Sequence, residues 1–287
     1  MSIGDLYGQG DPVISFEFFP PKTDAGFGSL FREIEELKQL GPGFVSVTMG
    51  AGGSTRSKTV DLVIEIQREI GLRGMAHLPC LGFHPSDVTG VLDALAAGGV
   101  QNVLALRGDP PQDLEGFVHP ADGFDHANEL VAFIRAHGGF TIGAACYPET
   151  HPEAESAEAD MAHLVRKVEA GADFLITQLF FDNERYFDFV ARARGEGIDV
   201  PIVPGIMPIL SAAGIRRMLT LGGGTLPSEL EGALAEVEGD DAATAELGVR
   251  WATDQCRELL ARGVPGIHLY TLNKSHATRR IFRTLFP

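Results

Sequence analysis

A glutamate flanked by phenylalanines is the first residue of the chain with an evident capacity for chemistry. Glu17 stands in the run Ser-Phe-Glu-Phe-Phe-Pro at positions 15–20. A carboxylic acid in so apolar a strand, if it faces a protein interior, is expected to have a raised pKa because burial disfavours its charged form. A raised pKa suits a general acid at neutral pH. We favour that role over a structural carboxylate paired with a buried base, since an ionisable group is costly to bury without a use.

A neutral amide occupies a second apolar stretch. Gln178 lies in the run Ile-Thr-Gln-Leu-Phe-Phe at positions 176–181. Its side chain offers two donors and one acceptor, which suits recognition of the edge of an amide-bearing heterocycle. An amide that is hydrogen-bonded within the core is an equal alternative.

The segment 155–170 has polar residues along one edge of its apolar face. At about 100° per residue, a single stripe is formed by Met161, Leu164, Val165 and Val168. Beside that stripe cluster Asp160, His163 and Lys167, with Arg166 a little further round. This edge could bind a ligand, or it could be a solvated flank with internal ion pairs.

Among the remaining motifs, only the glycine-rich segment 50–56 could bind a ligand, by presenting backbone N–H groups to a phosphate. Glycine-rich turns are also ordinary connections. The nine histidines show no metal-binding spacing, and we predict no metal. A Gly-x-Ser-x-Gly motif is absent from the sequence, so a serine hydrolase has no support.

Eight short β-rich runs alternate with longer segments that have a helical apolar period. The predicted strands cover residues 13–19, 44–48, 74–79, 102–107, 141–147, 174–180, 202–206 and 266–272. The predicted helices cover 30–40, 58–70, 85–97, 126–137, 155–170, 185–194 and 212–219. After a glycine-rich stretch at 222–227, an acidic segment and a long helix at about 242–262 resemble an inserted helical pair.

The strands are apolar with little alternation, as in parallel strands that are buried on both faces. Eight such units predict one α/β domain over residues 1–287, a (β/α)₈ TIM barrel with an inserted helical segment before the eighth strand. The competing open, doubly wound sheet would have a glycine-rich phosphate loop after its first strand, where this chain has Phe19, Pro20 and Pro21. In a parallel barrel the site lies at the C-terminal ends of the strands. Polar residues predicted near those ends are Glu17, Thr48, His77, Arg107, Gly108, Asp109, Tyr147, His151, Gln178, Asn273 and Lys274.

The composition restricts the class of protein. The chain has 287 residues, 44% hydrophobic and 22% charged, and a formal net charge of −16. This charge argues against nucleic acid as a partner. The sequence has neither a long uncharged apolar run nor a secretory leader, so we expect a cytoplasmic protein without a membrane segment. The three cysteines are expected to be small buried apolar residues.

Over nearly its whole length the chain resembles the methylenetetrahydrofolate reductase family. The motifs that carry the resemblance are those at 15–22, 44–48, 77–78, 106–109, 145–154, 171–178, 204–206 and 268–273. The resemblance implies reduction of 5,10-methylenetetrahydrofolate to 5-methyltetrahydrofolate, which supplies methyl groups for methionine synthesis. It also implies bound FAD, NADH or NADPH as the electron donor, and two alternating half-reactions at one site.

The resemblance implies a role for each matching residue. Glu17 would be the acid that helps to open the five-membered ring of the folate, Asp109 would contact the pterin and adjust the flavin's electrostatics, and Gln178 would meet both substrates. Lys274 stands where the family often has an arginine near the folate. Positions implied to hold FAD are Thr48, His77, Arg107, Gly108, Asp109, His126, Ala127, Tyr147, His151, Asp160, His163, Arg166 and Lys167.

The chain departs from the family pattern at several positions. His163 replaces an asparagine of some members, His126 replaces a common tyrosine, and the segment 214–218 lacks an expected glutamine and phenylalanine. These departures keep two alternatives open: a folate-binding barrel that receives electrons from a partner protein, and a noncatalytic folate-binding protein. The resemblance is compatible with a homo-oligomer. Because the sequence ends with the barrel, we expect neither the regulatory domain of eukaryotic members nor inhibition by adenosylmethionine.

Overall fold

A computed structural model describes residues 2–50, 55–110 and 119–286. All strands in these ranges are parallel members of one sheet. They are β1 (Val13–Phe18), β2 (Phe44–Val47), β3 (Gly74–Pro79), β4 (Asn102–Leu106), β5 (Thr141–Cys146), β6 (Phe174–Thr177), β7 (Ile202–Val203), β8 (Gly205–Ile206) and β9 (Gly266–Tyr270).

Helices connect successive strands on the outside of the sheet. They are α1 (Asp24–Lys38), α2 (Arg56–Glu65, continued by a π-helical turn at Ile66–Ile70), α3 (Pro85–Ala97), α4 (Ala127–His137), α5 (Ala157–Glu169), α6 (Asn183–Gly195), α7 (Ala212–Gly222), α8 (Ser228–Glu236), α9 (Asp241–Ala261) and α10 (Ser275–Leu285). None of the helices in the described ranges combines the length and the apolar character needed to cross a membrane.

The sheet closes into a barrel at Pro204. The strand order runs from β7 through β6 to β1 and then through β9 to β8, and β7 and β8 are separated only by this proline. Pro204 has no N–H to donate to a ladder, but its carbonyl accepts a hydrogen bond from the backbone N–H of His268 at 2.9 Å. The predicted barrel is therefore confirmed, and the predicted seventh strand consists of two short strands.

Strand β1 separates two cores by the alternation of its side chains. Ile14 and Phe16 pack outwards in the core beneath the helices. Val13 packs in a smaller core with Phe44 and Phe174 from neighbouring strands, inside the barrel. Strand side chains alternate with a period of two. Ser15 and Glu17 therefore face the barrel interior, as Val13 does, and lie closer to the C-terminal ends of the strands than this smaller core.

Three helices occupy the connection between β8 and β9. The acidic segment that follows the glycine-rich stretch forms α8, and the predicted long helix is α9. Helices α7 and α8 form a separate apolar cluster with residues that follow β6 and β8, including Phe181 and Met207. Helix α9 packs beside α6, α8 and α10, and its Leu247 belongs to the same cluster. That these elements include an insertion into a regular barrel stays an interpretation of the sequence.

Candidate active site

A cavity of about 290 Å³ opens at the C-terminal ends of the barrel strands. Its lining brings together nine of the residues predicted from the sequence: Glu17, Thr48, His77, Arg107, Gly108, Asp109, Tyr147, His151 and Gln178. They come from six neighbouring strands or the loops directly after them. The predicted convergence of these residues follows from the parallel arrangement, which places every strand's C-terminal end on one face.

Glu17 lies between two histidines at the inner end of this cavity. Its Oε2 atom is 3.2 Å from Nε2 of His77 and 3.3 Å from Nε2 of His268. The contact with His268 has the alignment of a hydrogen bond, whereas the buried Nε2 of His77 has an ion-pair distance without that alignment. The Glu17 side chain is 16% exposed and that of His268 is fully buried, so these contacts are sheltered from water.

The expected raised pKa of Glu17 is wrong. Burial does raise the pKa of this carboxyl, but His77 and His268 lower it by more, so that the pKa falls to about 2. An adjacent cation or hydrogen-bond donor favours the carboxylate form. The carboxyl group is therefore ionised at neutral pH, and it can act as an acid only after it takes up a proton.

Gln178 and Asp109 approach the cavity from different strands. Gln178 follows β6, and its backbone N–H is held by the carbonyl of Cys146 at 2.7 Å. Its side-chain amide makes no hydrogen bond to other described residues, so the alternative of an amide satisfied within the core is not observed there. Asp109 is exposed at the cavity's rim, just after Gly108, which has a φ of 80°. A Cβ at Gly108 would stand 2.6 Å from Cβ of Pro79, so only glycine fits this turn without a shift.

A second pocket of about 170 Å³ continues from the first towards α4 and α5. The two cavities share Arg107, Tyr147 and His151. Predicted residues that line only the second pocket are His126, Ala127, Asp160, His163 and Lys167. The polar edge of α5 therefore faces a pocket, as its sequence pattern allowed.

The second pocket combines a buried cation with oriented acceptors. Lys167 donates from Nζ to the carbonyl of Ala145 at 2.6 Å, and burial lowers its pKa. Asp160 accepts from the backbone N–H of His151 at 2.9 Å, and Arg107 forms an ion pair with Glu153. Burial also raises the pKa of the Tyr147 phenol to about 12, with Asp109 and Asp160 acting in the same direction.

Three predicted residues lie outside both linings, namely Arg166, Asn273 and Lys274. Arg166 is exposed on α5, and its Nε donates to the carbonyl of Ala162 in the preceding turn at 3.2 Å. Lys274 is exposed at the start of α10. Of the glycine-rich segment 50–56, residues 51–54 fall outside the described ranges.

His268, Ser15 and Tyr270 belong to the site but were not identified as site residues from the sequence. His268 Nδ1 lies 2.7 Å from Oγ of Ser15. Tyr270 lines the cavity and donates to the carbonyl of Thr177 at 2.7 Å. The signal was available: Ser15 and Glu17 are two apart in one strand, as are His268 and Tyr270, and residues two apart share a strand face.

Another cavity, of about 390 Å³, lies at the opposite end of the barrel, where its lining includes Arg73, Gln101 and Asn102. These residues precede or begin their strands. Parallel barrels carry their chemistry at the C-terminal ends of the strands. The perturbed carboxyl and the convergent polar groups also lie at that end, so we assign the candidate active site there.

Comparison with known proteins gives matches over almost the whole chain. The family model described as "Methylenetetrahydrofolate reductase" matches residues 2–286. The chain is 42% identical over 276 residues to "Methylenetetrahydrofolate reductase (NADH) 1" of Arabidopsis thaliana, which covers 92% of this chain and 47% of the plant protein. It is 37% identical over 280 residues to "5,10-methylenetetrahydrofolate reductase" of Escherichia coli, which covers 96% of this chain and 92% of the bacterial protein. The chain thus spans about half the length of its plant relatives.

A solved structure supports the fold independently. A Clostridium thermocellum protein that binds two copies of 5-methyl-5,6,7,8-tetrahydrofolic acid has a TM-score of 0.67 to this chain at 15% identity, covering 99% of this chain and 97% of the other. At this identity the likeness concerns the fold alone.

Proposed function

The chain belongs to the methylenetetrahydrofolate reductase family, and we propose that it reduces 5,10-methylenetetrahydrofolate to 5-methyltetrahydrofolate with electrons from NAD(P)H that pass through bound FAD. The observation that carries this proposal is the convergence of Glu17, Asp109 and Gln178 on one cavity. They supply a proton donor or acceptor, an anionic acceptor and an amide that can meet a heterocycle, which are the groups that a pterin substrate requires.

The second pocket has the chemistry to hold FAD. Lys167 places a buried ammonium group in the pocket with only the carbonyl of Ala145 as its hydrogen-bond acceptor among the described residues, which suits a phosphate-bearing ligand. Asp160 and His151 supply groups that suit ribose or phosphate contacts. Gly108, whose missing side chain lets it pack against Pro79, lines the first cavity next to Arg107, which both cavities share. When bound, FAD supplies the centre that accepts and donates hydride.

The chain's own residues divide the remaining work. Asp109 and Gln178 would orient the pterin, and Gln178 would also contact the nicotinamide that alternates with it. Glu17 would donate the proton that helps to open the five-membered ring of the folate. Because its pKa is lowered to about 2, Glu17 must take up a proton before it can donate one.

The visible spectrum of the purified protein tests this proposal. FAD is added, and the spectrum is followed without oxygen on addition of NADH or NADPH and then of methylenetetrahydrofolate. We expect bleaching by the nicotinamide and recovery of the flavin colour with the folate. In Glu17→Gln the bleaching should persist while the recovery is lost, because only the second half-reaction needs the acid.

Other outcomes favour the alternatives. Flavin that binds but is not reduced by either nicotinamide, although folate reoxidises chemically reduced flavin, would point to electrons from a partner protein. A protein that binds 5-methyltetrahydrofolate but no flavin would be a noncatalytic folate-binding protein. Either result would overturn the proposed activity.

A further inference from the structure

Glu149 joins two segments that border the candidate active site. It lies in the loop after β5, between Tyr147 and His151, which line both cavities. Its Oε1 accepts a hydrogen bond from the backbone N–H of Thr225 at 3.2 Å, and its Oε2 accepts one from the hydroxyl group of Thr225. Thr225 belongs to the glycine-rich stretch that follows α7. One carboxylate therefore fastens this stretch to the loop after β5.

The turn that carries Glu149 has a strained backbone. Its last residue, Thr150, donates from its backbone N–H to the carbonyl of Tyr147 at 3.3 Å and has a φ of 76°. A β-branched side chain disfavours this left-handed region, so surrounding contacts must hold the turn in place. On the far side of Thr150, the backbone N–H of His151 donates to Asp160 at 2.9 Å. The loop is thus held at the second pocket by Asp160 and at the glycine-rich stretch by Glu149.

The glycine-rich stretch also limits where the Gln178 amide can lie. The backbone of Gly222 lies against this amide, which makes no hydrogen bond to other described residues. The stretch packs against the loop after β5 as well, where Gly223 lies against Pro152. Glycine has more backbone freedom than any other residue, so this stretch keeps its position only where other contacts fix it. The two hydrogen bonds from Thr225 supply that fixed point.

We propose that Glu149 is a positioning residue, which fixes the Gln178 amide for both substrates by fastening Thr225 to the loop after β5. This role rests on the proposed function, in which Gln178 contacts the pterin and the nicotinamide in turn. It depends on hydrogen bonding and not on charge, because both donors on Thr225 are neutral. Without these hydrogen bonds the amide is mobile, and each substrate must order it on binding. Both substrates then bind more weakly.

Three substitutions separate the hydrogen bonds from the charge. Glu149→Ala removes both hydrogen bonds. Glu149→Gln keeps them, since its Oε1 can accept from the Thr225 N–H and its Nε2 can donate to the Thr225 hydroxyl oxygen. Thr225→Val removes only the bond from the hydroxyl group, and it keeps the test available if Glu149→Ala does not fold. Glu155→Ala, which removes an exposed glutamate outside both cavities, is the matched control.

Hydrogen exchange in the whole chain without substrates tests the fastening itself. In Glu149→Ala the backbone amides of residues 222–226 should exchange at least about 10-fold faster than in wild type, because the hydrogen bonds that hold this stretch are gone. Thr225→Val should give a smaller increase, and Glu149→Gln and Glu155→Ala should exchange as wild type does. Unchanged exchange in both Glu149→Ala and Thr225→Val would overturn the proposal, whether or not the protein reduces folate.

Steady-state kinetics with added FAD test the effect on the substrates. Glu149→Ala should raise the KM of methylenetetrahydrofolate and of NAD(P)H by at least about 5-fold each, with kcat and FAD affinity within about 2-fold of wild type. Glu149→Gln should restore both KM values. A role in stability alone would lower the amount of active enzyme and leave KM unchanged, and that result would overturn the proposal, as would equal impairment of the glutamine and alanine variants. A wild-type protein that shows the exchange pattern but no reductase activity would count instead against the proposed function.

Discussion

The backbone of Gly222 lies directly against the side-chain amide of Gln178. A Cβ built on Gly222 would stand 2.5 Å from Gln178 Nε2 and 3.3 Å from its Cδ. The next residue, Gly223, turns with a φ of 74°, and a Cβ there would stand 2.5 Å from Cγ of Pro152. The glycine-rich stretch after α7 therefore touches the candidate active site, and the missing side chains let it approach.

We predict that Gly222→Ala impairs both half-reactions without weakening FAD binding. The added methyl group would displace the Gln178 amide, and a shift of about 1 Å in a substrate-positioning group costs up to about 100-fold in rate. Rapid-mixing measurement of flavin reduction and of its reoxidation by methylenetetrahydrofolate should show at least about a 10-fold loss in kcat/KM for both.

Gly232→Ala is the matched control for this substitution. Gly232 lies in α8, and a Cβ there would meet nothing within 4 Å, so this change should leave both rates unaltered and increase stability by up to about 1 kcal/mol. If the rates of Gly222→Ala equal those of Gly232→Ala, Gly222 does not determine the position of the Gln178 amide.

We predict that Lys167, and not its neighbour Arg166, contributes strongly to FAD binding. Lys167 lines the second pocket with a buried ammonium group, whereas Arg166 is exposed and lies outside the lining. Loss of one buried charge-assisted contact costs about 1.5 to 3 kcal/mol, or about 10- to 100-fold in affinity.

Lys167→Met and Arg166→Met make this comparison on one helix, with flavin fluorescence as the measure of FAD affinity. Lys167→Met should weaken binding by at least about 10-fold and Arg166→Met by less than about 3-fold, since an exposed charge is screened by water. If Arg166→Met lost more FAD affinity than Lys167→Met, Arg166 would contact FAD, as the family resemblance implies.

The sequence predicted well what depends on local pattern and on parallel topology. Apolar runs located the strands, and parallel topology then required that Glu17, His77 and Gln178 meet at one end of the barrel. The polar edge of α5 was also predicted, because helical periodicity alone groups Asp160 and Lys167. The same periodicity placed Arg166 a little further round, and its side chain is exposed there; its place in the FAD site was implied by the family resemblance alone.

What depends on contacts between distant residues was not predicted. The pKa of Glu17 was expected to be raised because its sequence neighbours are phenylalanines. These rings pack outwards, however, and the groups that face the carboxyl come from β3 and β9, the latter 251 positions away. Likewise, the contact of Gly222 with Gln178 joins the end of α7 to the end of β6, and no local pattern signals it.

We predict that the side chain of Asn273 stabilises the strand end that carries Glu17. Its Oδ1 accepts from the N–H of Phe19 at 2.9 Å, and its Nδ2 donates to the carbonyl of Phe19 at 2.7 Å. Its φ of 56° is left-handed. Asn273→Gly keeps this conformation and loses only the two hydrogen bonds, so the free energy of unfolding should fall by about 1 to 2 kcal/mol.

Asn273→Ala should cost about 1 kcal/mol more than Asn273→Gly, because alanine is disfavoured in left-handed backbone. Chemical denaturation of both variants and wild type checks the order. If the alanine variant is as stable as the glycine variant, the left-handed conformation carries no cost; if both equal wild type, the two hydrogen bonds contribute nothing.

We predict that the contacts of Glu17 with its histidines make folding stability depend on pH in the acid range. The pKa of Glu17 is 4.5 for an unperturbed glutamate and about 2 in the folded chain. Between these values the unfolded chain binds more protons than the folded one, so stability rises with pH there and is lost as the pH falls through this window. The contribution is fully present above about pH 5 and amounts to at most about 3 kcal/mol.

Chemical denaturation of wild type and Glu17→Gln at a series of pH values isolates this contribution, because the effects of the other carboxyl groups cancel in the difference. Wild type should lose its advantage relative to the variant as the pH falls from about 5 towards about 2, and parallel stability curves for the two proteins would mean that the histidines do not hold Glu17 in its ionised form.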